Sequence, residues 1–157
     1  MPSPVLSIGD QLVASLVDWL NTEGDEDWPS TSELEAVVNV RGAARMIPCI
    51  AVGYQSVEEI LPMRGTWNID VNFDLVTELG AAEPEDEMND RETEHRRWSE
   101  MLTARLAALV EDLAPGPLEF VWIHGLFLGG REHQPDGGDL CITRQTARFV
   151  VTLCSES

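Results

Sequence analysis

The sequence predicts an α+β domain: a mostly antiparallel sheet of four to five strands, a long helix packed across one face, and a further helix at the amino terminus. Two patterns carry that expectation. Residues 66–76 alternate apolar and polar side chains without a break, and residues 98–113 place apolar side chains at helical spacing between an acidic stretch and a Pro-Gly-Pro stop. The length of 157 residues matches one domain, 1–157, with no repeats or linker, and allows a real core without disulfides or metals.

Each element follows in order. Ile8, Leu12, Val13, Leu16 and Leu20 recur at helical spacing, with Ser7 as N-cap and Asp10 three residues on. The Asp, Pro and Ser content of residues 24–32 ends that helix. Over 33–40, Leu34, Ala36, Val38 and Val40 share one face of a strand. Gly42 and Ala43 allow a turn, and residues 46–52 form a short apolar strand interrupted by Pro48. Proline cannot donate to a ladder, which predicts an edge position or a bulge.

Residues 66–76 point Trp67, Ile69, Val71, Phe73 and Leu75 one way and Thr66, Asn68, Asp70, Asn72 and Asp74 the other. At full extension this strand spans roughly 35 Å. After the acidic stretch 83–94, Asn89 or Asp90 caps a helix reaching Leu113, with Trp98, Met101, Leu102, Leu106, Leu109 and Val110 as its apolar stripe. Residues 118–128 are apolar on both faces, as in a central strand, while Ala147, Phe149, Val151 and Leu153 alternate in a final strand expected to pair with it. Residues 129–139 read as a long hairpin loop. It and the acidic stretch 83–94 are expected to be flexible loops that order on assembly.

The formal charge of −18 arises from 28 acidic and 10 basic residues, all ten of them arginine. Phosphate-backbone binding needs clustered positive charge, so a nucleic-acid binder is excluded. The acidity reads either as a solvated face or as a surface past which DNA slides without sticking. Cys49, Cys141 and Cys154 are odd in number and lie among apolar residues, which argues against a disulfide framework and for a reducing compartment. No apolar run approaches a membrane span, and no export signal is expected.

Catalytic and metal motifs do not emerge. A metal reading would combine His124, His133 and Cys141 with Asp136 or Asp139, but the spacing fits no standard zinc pattern, and no metal or cofactor is predicted. His124, in an apolar strand, reads as a hydrogen-bonded core or interface histidine. Cys49 and Cys141 read as buried structural thiols, since neither sits at a helix amino terminus. The stretch 83–94 lacks the alternating oxygens and central glycine of a calcium loop, and Gly129-Gly130-Arg131 precedes no helix that would make a phosphate site. Arg131, Arg144 and Arg148 remain as candidate interface residues. In a ring of identical subunits they would meet a neighbour's acidic loop at Glu85, Asp86 and Glu87; the alternative is pairing within the chain.

The amino-terminal helix, MIPCIAVGY at 46–54, TWNIDVNFDLV at 66–76, the long helix and the closing ITRQTARFVV at 142–151 resemble tail terminator proteins of long-tailed bacteriophages. The resemblance covers roughly 8–154 and rests on element order more than on a motif. It implies a non-enzymatic structural protein of the virion tail or neck, assembled in the host cytoplasm as a hexameric ring. Such a ring would cap the tail tube protein and join it to the head-tail connector or stopper, with DNA passing through the hole unbound and no membrane involved. No catalytic residue is implied. The second reading, from charge alone, is a small acidic binding or inhibitor protein that masks a basic or DNA-binding partner. An enzyme is a third, motivated only by the cysteines and histidines of the strands.

Overall fold

The structure is a computed structural model and describes residues 8–22, 28–31, 33–39, 48–60, 65–78, 85–113, 116–117, 121–135 and 140–153. In chain order these form α1 (Ile8–Thr22), β1 (Glu35–Val38), β2 (Cys49–Glu59), β3 (Thr66–Glu78), α2 (Glu85–Leu113), β4 (Gly116–Pro117), β5 (Val121–Pro135) and β6 (Leu140–Leu153). The strands make one mixed sheet in the order β1-β2-β3-β6-β5-β4, in which β1 runs parallel to β2 and every other pair is antiparallel. No described helix is long and apolar enough to cross a membrane.

Strand periodicity gives the sheet two distinct faces. In register across it, Ile50 and Val52 of β2, Ile69 to Leu75 at alternate positions of β3, Ala147, Phe149 and Val151 of β6, and Ile123 and Leu126 of β5 turn the same way. They meet Leu12, Leu16 and Leu20 of α1 and Trp98, Leu102, Leu106 and Leu109 of α2 in a single core, so both helices lie on one face. Phe73 and Phe149 tilt together at its centre, with ring centroids 6.4 Å apart. Each such fully buried side chain stabilises the fold by roughly 1.5–3 kcal/mol relative to exposure.

Polar contacts fix the helices to the sheet and to each other. The Asn21 amide accepts from the Ala36 N–H and donates to the Ala36 carbonyl, both at 2.9 Å, tying the end of α1 to β1. Arg105 of α2 donates to the carbonyls of Trp19 and Leu20, which the last turn of α1 leaves without helical partners. Its guanidinium lies between the Trp19 and Trp28 rings, 4.5 and 4.6 Å from their centroids. Gly65, with φ of 82°, makes the tight turn into β3 that an L side chain rarely adopts.

The order of the helices and of the five longer strands matches the expectation, but Gly116–Pro117, expected only to stop the long helix, adds a sixth strand by pairing with Trp122 and Ile123. The other differences also have local causes. β2 is interior and begins just after Pro48, so the proline lies outside the ladder; the edge position belongs to β1. β1 is only four residues long, and Val38 is exposed at its end instead of joining the buried Leu34 and Ala36. Ser7, Val40, Gly42 and Ala43 lie outside the described residues. α2 starts at Glu85, ahead of the caps expected at Asn89 or Asp90, so most of 83–94 is helix and not a flexible loop; Glu, abundant there, is a good helix former. β5 continues through Gly129 and Gly130 to Pro135, because register shifts between Leu128 and Arg131 absorb the glycines as a bulge within the strand. β5 is also exposed at His124, Phe127 and Leu128, so it is not a strand buried on both faces.

Candidate functional site

Toward the Pro135 end of β5 and the Leu140 end of β6 the helix-facing side chains change from hydrocarbon to polar. Beyond Phe73 and Ala147, the same face carries Thr77 of β3, Cys141, Thr143 and Gln145 of β6, and Arg131 and His133 of β5. Above them α2 presents Glu92, His95, Ser99 and Thr103, three or four residues apart and therefore on one side of the helix. Thr103 donates to Gln145 Oε1 at 2.9 Å and Arg131 reaches Ser99 Oγ at 3.4 Å. The two layers enclose a cleft of about 530 Å³ lined by Glu92, His95, Arg131, His133, Cys141 and Thr143.

His95 is 4% exposed and is held from both ends: Nδ1 lies 2.8 Å from Thr77 Oγ1 and Nε2 lies 2.7 Å from Thr143 Oγ1. Burial, with the nearby His133 adding to it, lowers its pKa to about 4, so the ring is neutral near pH 7 and donates through one nitrogen while accepting through the other. His133 stands edge-on to it at 6.1 Å between centroids and shares the Thr143 hydroxyl at 3.2 Å. Cys141 Sγ is 3.7 Å from His133 Nε2, a diagonal contact across the β5–β6 pair. Burial and the Glu92 charge push the Cys141 thiol up, which disfavours the thiolate that nucleophilic attack requires.

The opposite sheet face, which neither helix covers, carries two rows of cross-strand partners. In one, Ser56 and Arg148 both donate to Asp70, at 2.8 and 2.9 Å, and the row continues in register to Phe127. Arg148 and then, against burial, Ser56 hold the Asp70 carboxyl below its usual range. In the other, Arg144 makes a bidentate pair with Asp74 at 2.8 and 3.0 Å, with Glu132 opposite Arg144 in β5. Asp74 and Asn72, on the polar side of the β3 alternation, are buried, and Asn72 Oδ1 has no hydrogen-bond partner among the described residues.

Of the candidate interface arginines, Arg144 and Arg148 therefore share the helix-free face and are paired within the chain, whereas Arg131 faces α2. Strand alternation separates them: Arg131 is in register with Gln145, one residue from Arg144. Glu85, Asp86 and Glu87 begin α2. His124 is exposed and bonds Thr152 at 3.0 Å, so it is not a core histidine, and Asp136 and Asp139 lie outside the described residues. His133 and Cys141 do meet, but their third partner is His95, which the sequence reading passed over. The signal for it was the helical spacing of Glu92, His95, Ser99 and Thr103, a polar row beside the apolar stripe of Trp98, Leu102 and Leu106. Comparison of the chain with protein-family models and with curated protein sequences finds no match to either.

Proposed function

We propose that this chain is a ring-forming assembly subunit of a phage virion, of the tail-terminator or neck kind, whose neighbours meet across the helix-free sheet face. The observation that carries this reading is Phe127, 63% exposed on that face beside Leu128 at the rim of a shallow groove of about 650 Å³. Exposed aromatic side chains on a surface that the protein's own core leaves uncovered mark contact surfaces. Asn68, Asn72, Thr146 and the half-exposed Arg148 also line the groove, with Asp70 paired to Arg148, so a neighbour's carboxylates would share that guanidinium with Asp70.

A second copy supplies the complementary charge from Glu85, Asp86 and Glu87. Such a contact joins two different surfaces, sheet face to helix start, and repeated head to tail it closes into a ring. A hexamer capping the tail tube protein and meeting the head connector or stopper is the assembly that fits the resemblance, with DNA passing an acidic hole unbound.

Negative-stain microscopy and native mass spectrometry test this directly. Closed rings are expected for the wild type, alone or with tail tubes, and loss of rings is expected for a folded Phe127→Glu variant. A chain that stays monomeric even with tail tubes present sinks the reading. The exposed Glu92, Glu94 and Glu100 of α2 favour the second reading, an acidic protein that masks a basic partner. Stable one-to-one capture of such a partner by a monomer would put it first.

A further inference from the structure

We propose that His95, His133 and Cys141 form a binding site for a zinc-class divalent cation that clamps α2 onto the β5–β6 hairpin. The proposal does not depend on the ring reading. It rests on geometry: one ligand atom from each of the three side chains lies within 4.8 Å of the other two. His133 Nδ1, the nitrogen that faces the Thr143 hydroxyl, lies 4.0 Å from Cys141 Sγ, a few tenths of an ångström beyond the edge of about 3.6 Å that sulfur and nitrogen span around tetrahedral zinc. Two imidazoles and a thiolate are the donors that zinc takes and that magnesium or calcium does not.

The surroundings supply what such a site needs beyond its ligands. In the tautomer in which His95 Nδ1–H donates to Thr77 Oγ1, the Nε2 lone pair is directed at the Thr143 hydroxyl, the point shared by both histidines. A partner on the far nitrogen is what fixes the tautomer and orientation of a metal-bound histidine. An ion between the rings replaces the Thr143 hydroxyl as their common neighbour. His133 is exposed and can swing the remaining distance, while His95 and Cys141 are fixed by burial. The fourth position opens into the cleft toward Glu92, one helical turn before His95.

The chain's many carboxylates bind divalent cations weakly anywhere on the surface, so the test must report on sulfur. Metal-free, reduced protein is titrated with Co(II). A thiolate-to-cobalt charge-transfer band should appear in the near ultraviolet, saturate at one ion per chain, and vanish when Zn(II) is added. Cys141→Ser should abolish the band and His133→Ala should abolish or greatly weaken it, with both variants folded by circular dichroism. Cys154→Ser and His124→Ala should leave it intact. Thr77→Val should weaken Co(II) binding about ten- to a hundredfold without changing the band's shape. Cobalt bound with no charge-transfer band, or a band that survives Cys141→Ser, would overturn the proposal.

Discussion

Arg105 donates to the carbonyl of Trp19 at 2.7 Å while its guanidinium carbon lies 4.5 Å from the centroid of the same residue's ring. One side chain of α2 thus caps the end of α1 and fills the space between Trp19 and Trp28. Two cation–π contacts and two charge-assisted hydrogen bonds meet there, and Arg105→Ala should cost about 2–4 kcal/mol. Lysine keeps the charge without the planar fork, so Arg105→Lys should recover less than half of that. Urea midpoints of the three proteins decide it; a loss under about 0.5 kcal/mol in the alanine variant would show the contact to be incidental.

The two adjacent glycines of the β5 bulge should respond in opposite ways. A Cβ on Gly129 would collide with the Thr146 hydroxyl, whereas a Cβ on Gly130 meets nothing within 4 Å. Gln145 also donates to the Gly129 carbonyl at 2.9 Å, so the bulge cannot simply shift away. Gly129→Ala should destabilise by about 1–3 kcal/mol. Gly130→Ala should be neutral or stabilising by up to about 1 kcal/mol, because alanine restricts the unfolded chain. Equal effects in thermal melts would contradict the bulge geometry.

His95 makes the stability of the metal-free protein depend on pH in one direction. Its pKa in the fold is about 4, below the ordinary 6.5, so between those values the unfolded chain binds the extra proton. Stability is therefore complete above about pH 6.5 and falls as the pH drops toward 4, by on the order of 2–4 kcal/mol. Denaturation of wild type and His95→Gln across this range, with chelator present, isolates the histidine from the carboxylates. Parallel pH curves for the two proteins would refute it.

The two acid–arginine pairs of the helix-free face should differ in worth. Asp74 is 6% exposed and takes Arg144 through two hydrogen bonds, while both members of the Asp70–Arg148 pair remain open to solvent. A double-mutant cycle on Asp74 and Arg144 should return a coupling of about 1–3 kcal/mol. The same cycle on Asp70 and Arg148 should return a coupling close to zero, further reduced by salt. The reverse ranking would mean that solvent reaches Asp74.

What could be read from the sequence was whatever a single element carries in its own periodicity. The alternation from Trp67 to Leu75 placed β3 and its core face correctly, and the spacing from Ile8 to Leu20 placed α1. The parallel pairing of β1 with β2 was not legible, because alternation reports which way side chains point and not which way a neighbour runs. Gly129 and Gly130 read as a loop because a bulge and a turn ask for the same residue. The His95 cluster was hidden for a different reason. Its members come from three elements, and only the register between β3, β5 and β6, with α2 laid above, brings Thr77, His133, Cys141 and Thr143 around one ring.

The hydrogen bonds between the Asn21 side chain and both backbone groups of Ala36 have a consequence for how copies of this protein can join. β1 is the outermost strand on its side, and Ala36 offers the N–H and carbonyl pair that an incoming strand would seize. With that pair already taken, the sheet cannot be extended indefinitely from this edge into a fibril. Growth by strand pairing is thereby confined to the opposite side of the sheet, where β4 pairs with β5 at Trp122 and Ile123, and a sheet that can be extended from one side only makes finite assemblies.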